Sequence, residues 1–400
     1  MLNSRLDLLT DYPFQRLADL LSGVTPGAEA IPLHIGEPQH NPPAFVAEIL
    51  AAEAKGWGKY PPMAGTPEFR AAAGSWAAKR FNAPGLDPDR HLLPLSGTRE
   101  GLFQIGLLAA GGEGRGAKRL VLLPNPFYQV YAAAAVMAGA EPVFVPATAE
   151  TGFLPDFESL PKDVLDRAAL AFFCSPANPQ GSVADAARLD RLVELARRHD
   201  FLLASDECYS EIYHRDPPAG VLESCTRLGG GLANVAVFHS LSKRSSAPGL
   251  RSGFVVADES VIKPLLRLRS YSCASVPLPV LAASAALWRD EAHVEENRRL
   301  YRAKFDLADR LLGGLPGYRR PEGGFFLWLE VDDGEAFTRA LWARSGVRLL
   351  PGAYLTRPDA TGHNPGNRYV RVALVQDLAT TERALRAIRD LLSSAEAAAQ

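Results

Sequence analysis

The chain has no apolar run approaching the ~18 residues that a membrane span requires. Its opening stretch, MLNSRLDLLTDYPFQRL, has neither a long apolar core nor a small-residue cleavage site. No membrane span and no secretory leader are therefore expected, and the expected compartment is the cytoplasm. An excess of one charge is also missing: 43 Lys and Arg against 45 Asp and Glu leave a net charge of -2, so the basic patch of a nucleic-acid binder is not expected. Cysteine is scarce. Cys174, Cys208, Cys225 and Cys273 form no CxxC and no framework spacing, which argues against a disulfide scaffold or a zinc site and for reduced, mostly buried thiols. No metal is expected, and no internal repeat is found. The glycine cluster AAGGEGRGAKR (109–119) lacks the GK[ST] ending of a phosphate loop and reads as a flexible connector.

What remains is ordinary for a globular protein: 400 residues, 47% of them hydrophobic and 22% charged, a length that favours two domains over one core. Short β-rich runs at 119–124, 141–146, 170–176, 201–207, 235–240 and 252–258 alternate with amphipathic, alanine-rich stretches. In the stretch 185–199, Leu189, Leu192, Val193 and Ala196 share one helical face. Strands alternating with helices predict a mainly parallel, two-sided sheet. Residues 260–310 read as long helices, and a further helix is expected at 102–110. After the break GGLPGYRRPEGG (313–324) the pattern restarts with strands at 325–331, 347–352 and 368–374, which suggests a smaller α+β domain.

The densest chemistry lies in HSLSKRSSAPGLRSG (239–253). Lys243 could offer a nucleophilic amine to a carbonyl. Ser240 and Arg251 could hold a phosphate by hydroxyl and bidentate guanidinium contacts. Taken alone, SKRSS is also a plausible solvated basic loop. Asp206, in ASDECY, ends an apolar run, where a carboxylate could face the crevice of a parallel sheet, and Tyr209 follows three residues later. Asn178 is held between prolines in SPANPQG, and Gly97 and Thr98 in LSGTREG open a helix whose free N–H groups suit an anion. Tyr128, in NPFYQVY, could stack on a flat ring. Each has an ordinary alternative: a turn carboxylate, turn chemistry, a simple helix cap by Ser96 or Thr98, or core packing.

Their order and spacing together are specific. Asn178, then Asp206 with Tyr209, then SxxK with an arginine eight residues beyond the lysine, resembles the fold-type I, class I/II pyridoxal-phosphate aminotransferases. The resemblance runs from LHIGEP (33–38) to RYVRVAL (368–374). It implies an α/β fold with a mainly parallel seven-stranded sheet between helices in a large domain (45–285), plus a small α+β domain (1–44 with 286–400). It implies pyridoxal 5'-phosphate as cofactor, carried as an imine by Lys243, which also shuttles protons. Asp206 is then the ring-nitrogen partner, and Asn178 and Tyr209 are the donors to the ring oxygen. Gly97, Thr98, Ser240 and Arg251 become phosphate ligands, and Tyr128 the stacking aromatic. Arg371 matches the arginine that clamps the substrate α-carboxylate, and Gly36 the glycine whose backbone approaches the substrate. Tyr60 matches a tyrosine that reaches the phosphate of the neighbouring subunit, which implies a homodimer with shared sites. Gln180 departs from the threonine usual in NPTG.

Longer phrases, including IGEPQHNPPAFV, ASDECYSEIY and GHNPGNRYVRVAL, resemble the succinyldiaminopimelate transaminase branch of that family. That branch implies an N-succinyl-L,L-2,6-diaminopimelate donor with 2-oxoglutarate and glutamate as the second pair. Arg99, Arg244 and residues near GHNPGNR are candidates for the distal end of such a donor. Transamination of aspartate, alanine or acetylornithine, a C–S lyase, and a ligand-sensing regulator domain are the competing readings. His214 and His293 are read as a non-catalytic histidine and a member of a solvated charged helix.

Overall fold

In a computed structural model, which describes residues 3–111 and 119–399, the apolar runs become twelve strands among the described residues. The middle of the glycine-rich connector, 112–118, lies outside them. In chain order the strands are β1 (Ile31–Pro32), β2 (Leu92–Leu95), β3 (Leu120–Asn125), β4 (Glu141–Pro146), β5 (Ala168–Cys174), β6 (Leu202–Asp206), β7 (Val235–Ser240), β8 (Gly253–Ala257), β9 (Phe326–Glu330), β10 (Val347–Arg348), β11 (Leu350–Pro351) and β12 (Tyr369–Ala373).

Seven of them form one sheet in the order β2-β8-β7-β6-β5-β3-β4. Only β8 runs against its neighbours; the pairs β3–β4, β3–β5, β5–β6 and β6–β7 are parallel. β5 is buried along its whole length, as expected of a strand covered on both faces. Apolar clusters lie on both sides of this sheet, one around Phe81, Phe173 and Trp288 and the other around Tyr131, Phe172 and Phe238. The helix Ala186–His199 buries Leu189, Leu192, Val193 and Ala196, the face its periodicity marks, and the Asp185 side chain caps its first turn through Arg188 N (2.7 Å).

The reversed strand has a consequence for the site. Because β7 and β8 are antiparallel, with Ser240 opposite Gly253, the connection between them must return to the edge it left. That connection carries Lys243 and Arg251. Leu95, the last residue of β2, also pairs with Gly253, so Gly97 and Thr98 emerge at the same edge. Asp206 ends β6 beside Cys174 of β5. The site residues therefore converge at the carboxyl ends of parallel strands, where open α/β sheets bind ligands.

Three expectations need correction. The strand β2 was not anticipated, because LLPL is short and Pro94 is a poor ladder residue away from an edge; here it sits on an edge strand. VRLLPG is not one strand: Val347–Arg348 pairs parallel with β1, while Leu350–Pro351 pairs antiparallel with β12. The helix expected at 102–110 starts earlier, at Thr98, with Gly97 at its cap in a positive-φ conformation (φ 89°). β9, β11 and β12 make a separate three-stranded sheet with its own apolar core around Phe305, Leu341 and Leu385. Among the described residues, no helix is long and apolar enough to cross a membrane.

Candidate functional site

A cavity of about 410 Å³ opens at the strand ends, and its wall includes Gly36, Thr98, Tyr128, Asn178, Asp206, Tyr209, Ser240, Lys243, Arg251 and Arg371. With Arg99, which lines it too, eleven of the candidate positions, scattered over more than 300 residues of sequence, thus meet in one place. Lys243 occupies the short helix Leu241–Arg244, which Ser240 caps by accepting from Ser242 N at 3.1 Å. Its Nζ donates to the Gly36 carbonyl at 2.7 Å. Burial disfavours its charged form, and the nearby Arg371 cation adds to this, so its pKa falls to about 8.

Asp206 is 6% exposed. Its Oδ2 accepts from the Tyr131 hydroxyl at 2.6 Å and its Oδ1 from Cys208 N at 3.3 Å. The role of Tyr131 was missed in the sequence, although it belongs to the quoted phrase NPFYQVY. Its ring stacks on Phe172 (4.5 Å between centroids, 8° between planes), which fixes the hydroxyl under Asp206. Burial pushes the phenol well above its usual pKa, so it remains a hydrogen-bond donor.

Arg371 is buried, lies over the Phe326 ring at 4.4 Å, and donates to Asn178 Oδ1 (3.2 Å) and the His34 carbonyl (2.8 Å). Burial lowers its pKa to about 10, and its Nε finds no partner. Among the described residues no carboxylate pairs with it, a costly arrangement for a buried cation unless an anionic ligand completes it. Arg251 is in the left-handed region (φ 52°) and donates to the Pro248 carbonyl at 2.9 Å. The absence of a side chain at Gly97 matters here, because a Cβ would stand 2.3 Å from the Arg251 guanidinium. A Cβ on Gly36 would likewise meet Phe326 at 2.5 Å.

Tyr60 does not join this group: it is fully exposed and absent from the cavity wall. Arg244 must be removed from the substrate candidates. Its guanidinium lies between Trp76 and Trp288 and bonds the Leu287 carbonyl (2.7 Å) and Glu291 (2.6 Å), away from the cavity. The GHNPGNR segment also stays off the wall, with Asn364 bonded to Thr356 instead. His214 packs against Phe305 with burial lowering its pKa to about 4, remote from the cavity wall. His293 is half-buried rather than solvated, between Asp290 (2.5 Å) and Ser245 (2.8 Å).

Behind Asp206, the next residue points into the core. Glu207 accepts from Ser205 Oγ (3.0 Å) and Val221 N (2.9 Å), and burial raises its pKa to about 7. His239 lies 3.6 Å away and is held neutral, burial lowering its pKa to about 3. Between the unfolded value of 4.5 and the folded value of about 7, the folded chain holds a proton on Glu207 that the unfolded chain has released. This carboxyl's contribution to stability is thus complete below pH 4.5 and is lost as pH rises through about 7. Glu207→Gln, an isostere of the protonated acid, should match the parent near pH 4 and exceed it at pH 8 by up to about 3 kcal/mol in urea unfolding. A constant difference between the two pH values would refute the protonated carboxyl.

The sequence profile of the family described as aminotransferase class I and II matches residues 28–388, and the chain belongs to that family of fold-type I, pyridoxal-phosphate-dependent aminotransferases. An LL-diaminopimelate aminotransferase from Desulforudis audaxviator is 32% identical over 401 residues, covering 97% of this chain and 97% of the relative. Among solved structures, an aminotransferase from Neisseria meningitidis superposes with a TM-score of 0.93 at 41% identity, covering 98% of this chain and 100% of its own. A probable N-succinyldiaminopimelate aminotransferase from Thermus thermophilus superposes with a TM-score of 0.84 at 26% identity, covering 95% of this chain and 100% of its own.

The wall fits the cofactor that this family uses. An amine of lowered pKa, a buried carboxylate and an Arg251 guanidinium beside a side-chain-free Gly97 suit an aldehyde, a ring nitrogen and a phosphate.

Proposed function

We propose that the chain transfers the amino group of N-succinyl-L,L-2,6-diaminopimelate to 2-oxoglutarate. The bound cofactor supplies an electron-withdrawing ring that holds the donor's amino group and takes up the electron pair released at its α-carbon. The chain's residues do the rest. Lys243 anchors the cofactor and carries the proton to and from the substrate α-carbon, for which an amine with pKa near 8 is well matched to neutral solution. Asp206 keeps a proton on the ring nitrogen, and Tyr131 and Cys208 N orient its two oxygens. Asn178 and Tyr209, both on the cavity wall, would donate to the ring oxygen, Tyr128 would support the ring, and Arg371 would bind the α-carboxylate beside the Gly36 backbone. Thr98, Ser240, Arg251 and the Gly97 N–H hold the phosphate. Tyr60, exposed here, completes that cradle in a second copy of the chain, so the working unit is a homodimer. The large domain spans 45–285, and the small one combines 1–44 with 286–400.

The substrate assignment rests on Arg99. Its Nε donates to the Tyr128 hydroxyl at 2.6 Å and its NH2 group to the Tyr12 hydroxyl at 3.4 Å, so among the described residues its charge is met by neutral phenols. The acidic side chains on the cavity wall are Glu37 and Asp206, and neither bonds Arg99. A free distal ammonium, as in L,L-diaminopimelate, would have to be met by Glu37, the wall carboxylate outside the Asp206 network, and not at Arg99. A succinylated amine is a neutral amide flanked by two carboxylates, and it suits a lone guanidinium. L,L-diaminopimelate is the second reading, favoured by the name of the relative at 32% identity.

Catalytic efficiencies measured with 2-oxoglutarate as acceptor decide between them. Succinyldiaminopimelate should exceed L,L-diaminopimelate, acetylornithine, aspartate and alanine by at least about tenfold, one partial charged contact. Arg99→Gln should lower the efficiency for succinyldiaminopimelate by about 10- to 100-fold, as expected for loss of a charged hydrogen bond, and leave alanine nearly unchanged. If L,L-diaminopimelate is preferred the second reading takes over, and if a short amino acid is preferred both fall.

A further inference from the structure

Lys243 is held at both ends. Its Nζ is held by the carbonyl of Gly36, and its own carbonyl accepts from Asn297 Nδ2 at 3.1 Å. Asn297 lies on the helix Ala292–Leu312, is 6% exposed, and has its amide fully used. Nδ2 also donates to the Arg244 carbonyl (3.2 Å), while Oδ1 accepts from Ser246 Oγ (3.0 Å) and from the His40 ring at Nδ1 (2.8 Å). This network admits one orientation of the amide.

The tautomer of His40 follows from its other neighbour. Lys304 Nζ stands 2.8 Å from His40 Nε2 and 3.2 Å from the Val375 carbonyl. An ammonium only donates, so Nε2 accepts and the ring proton sits on Nδ1, directed at Asn297. A directed chain of bonds therefore runs from Lys304 through His40 and Asn297 to the backbone of Lys243. Its first member is tied to the segment four residues beyond Arg371. Its second lies four residues beyond Gly36. Neighbouring bonds brace the same segment: Arg244 reaches the Leu287 carbonyl and Ser245 reaches His293. None of His40, Asn297 or Lys304 lines the active cavity, so they act on the amine only through the backbone.

We propose that His40 and Asn297 are positioning residues that aim the Lys243 amine. They lock the helix that carries it to the Gly36–His40 segment receiving its tip. This rests on the reading of Lys243 as the cofactor-anchoring lysine. An amine displaced by a fraction of an ångström still exists and is still basic, yet it attacks and shuttles less well. The effect should therefore appear in rates rather than in substrate affinity.

The test follows capture of pyridoxal phosphate by the cofactor-free chain in stopped flow, with borohydride reduction and mass spectrometry locating the attachment. His40→Ala should slow capture and lower kcat by about tenfold each, with KM for the amino donor within about threefold of the parent. His40→Gln, whose amide can accept from Lys304 and donate to Asn297, should restore both to within about threefold. If the alanine variant does not fold, as judged by thermal midpoint, His40→Phe keeps a ring against Tyr301 (4.6 Å in the parent) and is read by the same numbers. Capture and kcat at parental rates in His40→Ala would overturn the proposal, as would equal losses in His40→Gln. Attachment of the cofactor elsewhere than Lys243 in the parent chain would instead overturn the functional reading beneath it.

Discussion

Lys243→Ala should still fold but lose multiple-turnover transamination, with kcat down by at least about 10²–10⁴-fold, the contribution typical of a positioned acid–base group. Covalent anchoring disappears as well, so borohydride should fix no cofactor to the variant. The parent should show a visible absorption band that borohydride bleaches while marking the peptide with Lys243. Lys243→Arg sharpens the result. Arginine keeps the positive charge and much of the length, but its guanidinium does not give up a proton in the working pH range. If the amine matters as a proton carrier, the arginine variant should be as inactive as alanine. Sustained turnover in either variant would remove Lys243 from the chemistry.

How far the sequence could lead differs between the fold and the site. The parallel sheet was readable because β3, β5, β6 and β7 are continuous apolar runs, the signature of strands covered on both faces. β2 was not, since four residues with a proline carry too little periodicity to stand out. VRLLPG failed for a different reason. One apolar run can serve two sheets, and only long-range pairing with Ile31 and Val370 shows the break between Arg348 and Leu350.

In the site, residues with unusual chemistry at family spacing were legible one by one. Their supports were not. Tyr131 is an ordinary core tyrosine until β5 brings Phe172 beneath its ring and β6 brings Asp206 to its hydroxyl. Arg244, a candidate for the distal end of the donor, follows Lys243 in sequence, yet a helical turn sends adjacent side chains in different directions, and this one points between two tryptophans. The His40–Asn297 link joins positions 257 residues apart, and nothing local to either residue signals it.

Replacing Asp206 is expected to have the second large effect. Its carboxylate accepts from two neutral donors, the Tyr131 hydroxyl and Cys208 N. Neither brings a compensating positive charge, so its field remains available to a cation in the cavity. A protonated ring nitrogen is that cation, and its loss weakens the electron sink throughout the reaction. Removing one preorganised electrostatic partner typically costs about 3–4 kcal/mol in the barrier. Asp206→Ala should therefore lower kcat by about 10²–10³-fold, but it also opens a hole beneath Tyr131. Asp206→Asn separates the two effects, because it keeps the shape and the acceptor for one of the donors while abolishing the charge. It should retain cofactor attachment at Lys243 and a thermal midpoint near the parent's, and still lose about 10²-fold or more in kcat. Turnover within about threefold of the parent in the asparagine variant would mean that shape, not charge, is what Asp206 provides.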